Sequence, residues 1–201
     1  MGQYMKKTLL FCNGVSGSGK TYFIQNNIPS GLFYNLRSAT TRPMRVGESE
    51  GSPYFFRDEE YFHTTPLATY LWVNRAIWQP GDKKWLYGVP ETEIYEHLNQ
   101  NLIYDVIEPK YTRQMVDWFC AHDLDAHYDF KIAYFVPPEN NMDTVRKRAN
   151  MPGDATVRTN NTCVPADFVR ANLTPDYTLS PRSGIYDKNL IRLIKNLQHS
   201  L

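Results

Sequence analysis

Short apolar runs alternate with segments of helical periodicity along most of this chain. The apolar runs are typical of strands, and they cover residues 8–12, 32–36, 54–56, 102–107, 131–136 and 176–179. Segments with helical spacing or helix-start signals lie between them, at residues 22–26, 58–60, 90–93, 113–121, 166–170 and 187–197. Strands that alternate with helices predict an α/β fold, in which a parallel sheet carries helices on both faces.

The stretch between residues 38 and 96 interrupts this alternation. Proline and glycine disfavour regular structure in its polar first part, residues 38–51. Two β-type runs around a Pro-Gly-Asp turn then predict a hairpin between residues 69 and 89. We therefore interpret residues 38–96 as a subdomain inserted into a core of residues 1–37 and 97–201.

Residues 14–21 fit the phosphate-binding motif G-x-x-x-x-G-K-[ST] at every fixed position. A predicted strand precedes the motif and a predicted helix follows it, as in a P-loop. Glycines let the backbone N–H groups point at phosphate oxygens, and the helix N-terminus adds partial positive charge. Lys20 is expected to reach the β- and γ-phosphates and the Thr21 hydroxyl to hold Mg²⁺. The predicted ATP site consists of Gly14, Ser16, Gly17, Ser18, Gly19, Lys20 and Thr21.

Composition narrows the class of protein without identifying it. With 201 residues, of which 42% are apolar, the chain is long enough to bury a full core. Its 22 basic and 21 acidic residues nearly balance, so no overall field favours nucleic acid or an anionic membrane. Its three scattered cysteines fit a reducing compartment, and no apolar stretch approaches the ~20 residues of a membrane span. We expect a cytoplasmic protein that binds neither nucleic acid nor membrane.

A second set of phosphate-binding groups lies in the inserted stretch. The donors are the hydroxyl and guanidinium groups of Ser38, Arg42, Arg45 and Tyr54. The planar fork of arginine suits the oxygens of a phosphate, so these residues indicate a pocket for a second substrate, which a kinase needs. Surface arginines on a solvated loop are the alternative that composition leaves open.

The order of residues in this stretch resembles the signature of guanylate kinases. Residues 38–56 follow the pattern S-x-T-T-R-x-P-R-x-G-E-x-x-G-x-x-Y-x-F, with the proline one position early. The resemblance continues in the P-loop, in residues 58–62, Tyr87-Gly88, the strand that carries Asp105 and residues 135–138. Thinner similarity reaches the C-terminus, so the resemblance covers nearly the whole chain.

This resemblance implies an ATP-dependent nucleoside monophosphate kinase that transfers the γ-phosphoryl group of ATP to GMP or dGMP with Mg²⁺. The acceptor-phosphate residues of the family match Ser38, Arg42, Arg45, Tyr54 and Tyr87. Asp105 matches an acid near the acceptor and the metal; a structural acid that caps a turn is the alternative for this residue.

A polar segment at about residues 139–165 is expected to form a lid. Arg146 matches the lid arginines that close over the transferring group in guanylate kinases, and Arg148 and Arg158 match them less closely. With Lys20, these are the predicted catalytic residues. Arginines on a solvated face are the alternative.

Two positions depart from the guanine-binding pattern of the family, which uses a glutamate in a Glu-Trp-Ala strand and a Ser or Thr after Tyr-Gly. Here residues 71–76 contain no glutamate, and Val89 follows Tyr87-Gly88. Asn74 is the candidate replacement, but an amide cannot accept both guanine N–H groups as a carboxylate does. We therefore predict a nucleoside monophosphate acceptor and leave its base open.

Two other functions stay open at this point. Ribose 1,5-bisphosphate phosphokinases share the P-loop and Thr-Arg-Pro, lack the guanine-binding glutamate and have Tyr-Gly-Val, as here; Arg45, residues 47–51 and Tyr54 favour a nucleotide kinase instead. Guanylate-kinase-like domains also serve as non-catalytic protein-binding modules. Those tend to lose the P-loop lysine, which this chain keeps as Lys20.

Overall fold

The computed structural model describes residues 6–74, 84–106, 108–138 and 163–199. Its strands are β1 (Lys7–Asn13), β2 (Tyr34–Asn35), β3 (Ser38–Thr40), β4 (Tyr54–Phe56), β5 (Leu67–Asn74), β6 (Lys84–Pro90), β7 (Leu102–Val106), β8 (Tyr128–Phe135) and β9 (Tyr177–Leu179). Its helices are α1 (Lys20–Asn27), α2 (Glu59–Thr64), α3 (Glu91–Tyr95), α4 (Pro109–Ala121), α5 (Pro165–Arg170) and α6 (Lys188–Gln198), with a 3-10 helix at Pro181–Ser183.

Five strands form a parallel sheet in the order β2-β7-β1-β8-β9. Its central strand β1 buries side chains on both faces, because Leu9 and Phe11 pack into one apolar cluster and Leu10 and Cys12 into the other. The first cluster includes α4 and α5, and the second includes α1 and α6. The predicted α/β fold, with helices on both faces of a parallel sheet, is confirmed.

The remaining four strands form a second, mixed sheet in the order β4-β3-β6-β5. The predicted hairpin is present as the antiparallel pair β5 and β6. The expectation that residues 38–51 lack regular structure is wrong at their start, where β3 pairs with β6 on one side and β4 on the other. Pairing with these distant strands supplies the backbone hydrogen bonds that the local sequence did not indicate.

Local sequence signals predict the helix boundaries better than they predict the strands of the second sheet. The Asp58 side chain accepts a hydrogen bond from the Tyr61 N–H and caps α2, and Asp187 caps α6 in the same way. Helix α4 begins at Pro109, a turn earlier than its apolar spacing predicts, because proline is favoured in the first turn of a helix. Among the helices that the structure describes, none is long and apolar enough to cross a membrane.

Candidate functional site

The loop between β1 and α1 forms a tight cradle at the carboxyl end of the five-stranded sheet. Gly17 and Gly19 have φ angles of 84° and 102°, which glycine adopts without steric cost. At Gly14, a Cβ atom would lie 2.7 Å from the carbonyl oxygen of Phe135 and 2.8 Å from the Ser18 Oγ. The motif glycines are therefore required by backbone conformation and by close approach to β8.

Lys20 extends back along this loop. Its Nζ donates hydrogen bonds to the carbonyl oxygens of Gly14 and Val15, the second at 3.2 Å, and lies 3.6 Å from the Asp105 Oδ1. Asp105 is placed level with Cys12 by the parallel register of β1 and β7, and so reaches the loop from the neighbouring strand. Burial raises the pKa of the Asp105 carboxyl, while the charge of Lys20 and its hydrogen bond oppose that rise.

One cleft of about 440 Å³ brings the loop and the inserted stretch together. The loop side contributes Ser16, Gly17, Gly19, Lys20 and Thr21, the opposite side contributes Ser38, Pro53 and Tyr54, and Asp105 lines the cleft beside Lys20. Ser38 and Tyr54 lie directly across from each other in the pairing of β3 and β4. The predicted ATP loop and two members of the second predicted set, Ser38 and Tyr54, thus line one cavity.

Arg42 is buried next to Tyr54, on the side of the cleft opposite the loop. Its side chain is only 1% exposed, and its guanidinium donates hydrogen bonds to the Pro43 carbonyl oxygen at 2.7 Å and to the Glu48 Oε1 at 2.8 Å. Its Cζ lies 5.2 Å from the centre of the Tyr54 ring, within reach of a cation–π contact. The alternative of a solvated surface arginine is therefore wrong for Arg42.

Glu48 organises both arginines of this segment. Besides pairing with Arg42, it accepts a hydrogen bond from the Arg45 backbone N–H at 2.8 Å. Burial alone would raise the pKa of the Glu48 carboxyl, but the hydrogen bonds from Arg42 and Arg45 outweigh it and lower that pKa. Glu48 is thus a charged anchor for the loop that carries the arginines.

Tyr54 and Tyr87 form an aromatic pair beside these charges, with ring centres 5.8 Å apart. Burial raises the pKa of both hydroxyl groups, and the positive charges of Arg42 and Arg45 oppose this rise. Both tyrosines stay protonated at neutral pH, so each hydroxyl can donate a hydrogen bond to an anion.

Some predicted site residues lie outside what the structure describes. These are Arg146, Arg148 and Arg158 of the predicted lid. The backbone of Asn74 ends β5 opposite Lys84, but its side chain is not among the described ones. Val89 is fully buried, and its N–H donates to the Thr69 Oγ1 at 3.1 Å.

Sequence reasoning missed several residues that hold the site. Asn13 and Thr112 exchange two buried hydrogen bonds, at 2.9 and 3.1 Å, and fix the start of the loop to α4. Arg37 and Glu93 form an ion pair with a 2.9 Å contact at the base of the four-stranded sheet. These partners are 99 and 56 positions apart, so no local pattern could have paired them.

Oxygen atoms that could hold a Mg²⁺ ion line the same cleft. The Thr21 hydroxyl and the Asp105 carboxylate both line it, and hydroxyl, carboxylate and phosphate oxygens are the ligands Mg²⁺ prefers. Glu93, Glu96 and His97 also place ligand atoms within 4.8 Å of one another. There, however, the Glu93 carboxylate already accepts hydrogen bonds from Arg37 and Tyr34, so we assign no metal to that cluster.

Comparison with known proteins gives relatives of one kind. The chain is 32% identical over 137 residues to a guanylate kinase of Legionella pneumophila strain Paris and 31% identical to that of strain Lens. Each alignment covers 66% of this chain and 57% of the relative, so the matched part is little more than half of those proteins. No protein-family model matches the chain.

A solved structure supports the fold. The crystal structure of guanylate kinase from Anaplasma phagocytophilum matches 98% of this chain and 87% of its own, with a TM-score of 0.50 and 17% identity. At this identity the likeness concerns the fold alone.

Proposed function

Because this chain belongs to the guanylate kinase family, we propose that it transfers the γ-phosphoryl group of ATP to a nucleoside monophosphate. The observation that carries the proposal is the shared cleft, in which Lys20 and Thr21 face Ser38 and Tyr54. Phosphoryl transfer needs little covalent participation by the protein and depends on holding donor and acceptor in line. A cavity with a phosphate cradle on each side meets that requirement.

The loop side of the cleft is proposed to hold ATP. Lys20 would turn from the carbonyl oxygens of its own loop to the β- and γ-phosphates, with Asp105 3.6 Å away to orient the ammonium. Mg²⁺ held at Thr21 would supply charge neutralisation on the phosphate oxygens when bound. No general base is required, because an acceptor phosphate is already anionic.

The opposite side is proposed to hold the acceptor phosphate, with residues 38–96 as the acceptor-binding subdomain. The Ser38 and Tyr54 hydroxyls line the cleft as donors, and Arg42 and Arg45 supply positive charge from behind. Arg146, Arg148 and Arg158 are proposed to approach the transferring group from a lid at residues 139–165, which would exclude water.

The relatives' name suggests GMP as the acceptor, and the resemblance in sequence adds dGMP. The departures at residues 71–76 and Val89 argue that the base need not be guanine. Val89 has no side-chain donor or acceptor, and its N–H is already bonded to Thr69. A site built to hydrogen-bond one base loses orders of magnitude in selectivity when such a partner is missing. We therefore propose a nucleoside monophosphate acceptor whose base is decided by experiment.

A coupled assay for ADP tests the proposal. The full chain is given Mg·ATP with each common ribo- and deoxyribonucleoside monophosphate in turn, and with ribose 1,5-bisphosphate. Monophosphate-dependent ADP release, with the diphosphate as second product, is the expected result. Turnover of ribose 1,5-bisphosphate alone would replace the nucleotide with a sugar phosphate as acceptor. ATP consumption unaffected by every acceptor would contradict the proposal and favour a non-catalytic module.

A further inference from the structure

Arg37 occupies the junction where the chain leaves the five-stranded sheet and enters the four-stranded one. It lies between β2, which ends at Asn35, and β3, which begins at Ser38. Glu93 lies at the corresponding exit, in α3 directly after β6. A contact between these two residues therefore joins both ends of the stretch that carries the acceptor wall, the side of the cleft formed by Ser38, Pro53 and Tyr54.

That contact is extensive. The Glu93 Oε1 accepts hydrogen bonds from the Arg37 backbone N–H at 3.1 Å and from its Nε at 2.9 Å, and Oε2 accepts one from Nη2 at 3.1 Å. The Tyr34 hydroxyl donates a further hydrogen bond to Oε1 at 2.8 Å. Glu93 is 3% exposed, so this carboxylate is held by directed, charge-assisted bonds in a buried place.

The other side of Arg37 touches the acceptor wall. Its Cζ lies 4.4 Å from the centre of the Phe55 ring, a cation–π contact, and its Nη1 would lie 3.4 Å from a Cβ placed on Gly51. Phe55 lies beside Tyr54 in β4, and Arg37 directly precedes Ser38. Arg37 is thus adjacent to Ser38 in the chain, and its guanidinium contacts β4, the strand that carries Tyr54.

We propose that Arg37 is a positioning residue, which ties the entry and exit of the four-stranded sheet together and sets the distance of Ser38 and Tyr54 from Lys20. This inference rests on the proposed function, because it concerns the site for the acceptor. It assigns Arg37 an effect on acceptor binding without contact to the acceptor itself.

The test compares Arg37→Ala with Arg57→Ala in the full chain. Arg57 is a matched control, because its guanidinium also lies over the Phe55 ring, at 5.5 Å, and also pairs with a glutamate, Glu50. That pair is exposed, and both of its residues lie inside the stretch of residues 38–96. Steady-state kinetics with Mg·ATP and the best acceptor from the panel give KM for each substrate and kcat.

Arg37→Ala is expected to raise the acceptor KM about tenfold or more while the ATP KM stays within about twofold, since a displacement near 1 Å can cost up to about a hundredfold. Arg57→Ala is expected to leave both constants near those of the parent. Glu93→Gln keeps a hydrogen-bond partner for Tyr34, so its rise in acceptor KM should be smaller than that of Arg37→Ala. An unchanged acceptor KM in Arg37→Ala, or an equal rise for both substrates, would overturn the inference.

A second measurement separates this inference from the proposed function. Hydrogen exchange of the free protein should be about tenfold faster at residues 38–40 and 54–56 in Arg37→Ala and unchanged at β1, whether or not the parent has kinase activity. If Arg37→Ala does not fold, Arg37→Met combined with Glu93→Gln is measured in the same way, because it leaves no unpaired buried carboxylate. Uniform or unchanged exchange would contradict a positioning role.

Discussion

Two charged side chains, Lys20 in the cleft and Arg42 behind it, are each held by particular neighbours. Lys20 lies between two loop carbonyls and Asp105, and Arg42 lies between Glu48 and the ring of Tyr54. The contacts of Arg42 fix the direction of its charge before a substrate arrives, so that charge needs little reorganisation. Under the proposed function, Lys20 exchanges its loop carbonyls for phosphate oxygens when ATP binds. The residue-scale predictions remove one of these charges at a time.

Lys20→Ala is expected to lower kcat by roughly 10²- to 10³-fold, because the lost ammonium is the proposed neutralising group on the transferred phosphate. The coupled ADP assay at saturating acceptor measures it. Lys188→Ala, which removes an exposed lysine at the start of α6, serves as the control and should keep the parent rate. Near-normal turnover in Lys20→Ala would refute the assignment of this loop.

Glu48→Gln should change how stability depends on pH. The folded-state pKa of Glu48 is lowered, so its ionised form contributes stability that is fully present above the unfolded pKa of about 4.3. This contribution is lost as the pH falls through the folded value. Urea unfolding of the parent and of Glu48→Gln should therefore give a free-energy difference that is constant near pH 7 and shrinks below about pH 4. A difference that is the same at every pH would show that ionisation of Glu48 contributes no stability to the folded state.

At the scale of elements, the sequence predicts those parts of the fold that local signals determine. The apolar run 8–12, the loop glycines and the helix after Lys20 follow from composition and spacing over a few residues. The strand β3 does not, because the proline and glycines that follow it favour a loop and its partners come from elsewhere in the chain. Tertiary pairing overrides local preference there.

The site likewise contains residues that the sequence predicts and residues that only the structure identifies. Motif order is enough to select Ser38, Tyr54 and Arg42, because hydroxyl and guanidinium groups at this spacing indicate a phosphate site. Arg37 and Glu93 could not be selected in this way, because an arginine next to a strand and a glutamate in a first helical turn are ordinary surface patterns. Only the folded chain shows that they meet.

Gly88→Ala tests the close approach of the paired strands β5 and β6. A Cβ at this position would lie 2.5 Å from the Thr69 carbonyl oxygen, so backbone has to move, at a cost of about 1–3 kcal/mol in unfolding free energy. Because Tyr87 is the adjacent residue, the acceptor KM should also rise.

Gly184→Ala is the control for this variant. No atom lies within 4 Å of its added Cβ, but its φ of 71° is unfavourable for alanine. It should lose about 1 kcal/mol of stability with no change in acceptor KM. Equal effects of both substitutions on the acceptor KM would argue that the close approach of β5 and β6 has no role in the site.

At the scale of the whole molecule, α4 connects the two sheets. It packs on the five-stranded sheet through Met115 and Phe119. Its Gln114 Oε1 accepts a hydrogen bond from the Tyr70 N–H in β5 at 3.1 Å, and its Trp118 Nε1 donates one to Glu91 after β6 at 2.8 Å. The four-stranded sheet is thus held to the rest of the molecule by α4 and by the Arg37–Glu93 pair.

This arrangement predicts that the two walls of the cleft bind their ligands separably. A non-hydrolysable ATP analogue with Mg²⁺, at about 100 times its Kd, should raise the unfolding free energy by ~2.7 kcal/mol, and Lys20→Ala should remove most of that gain. Tyr54→Phe deletes one hydroxyl from the opposite wall. It should leave the gain from the ATP analogue intact and reduce the gain from the monophosphate. Urea unfolding with each ligand alone measures both gains. If Tyr54→Phe reduced the two gains equally, Tyr54 would not belong to a wall reserved for the acceptor, and the division of the cleft into a donor side and an acceptor side would be wrong.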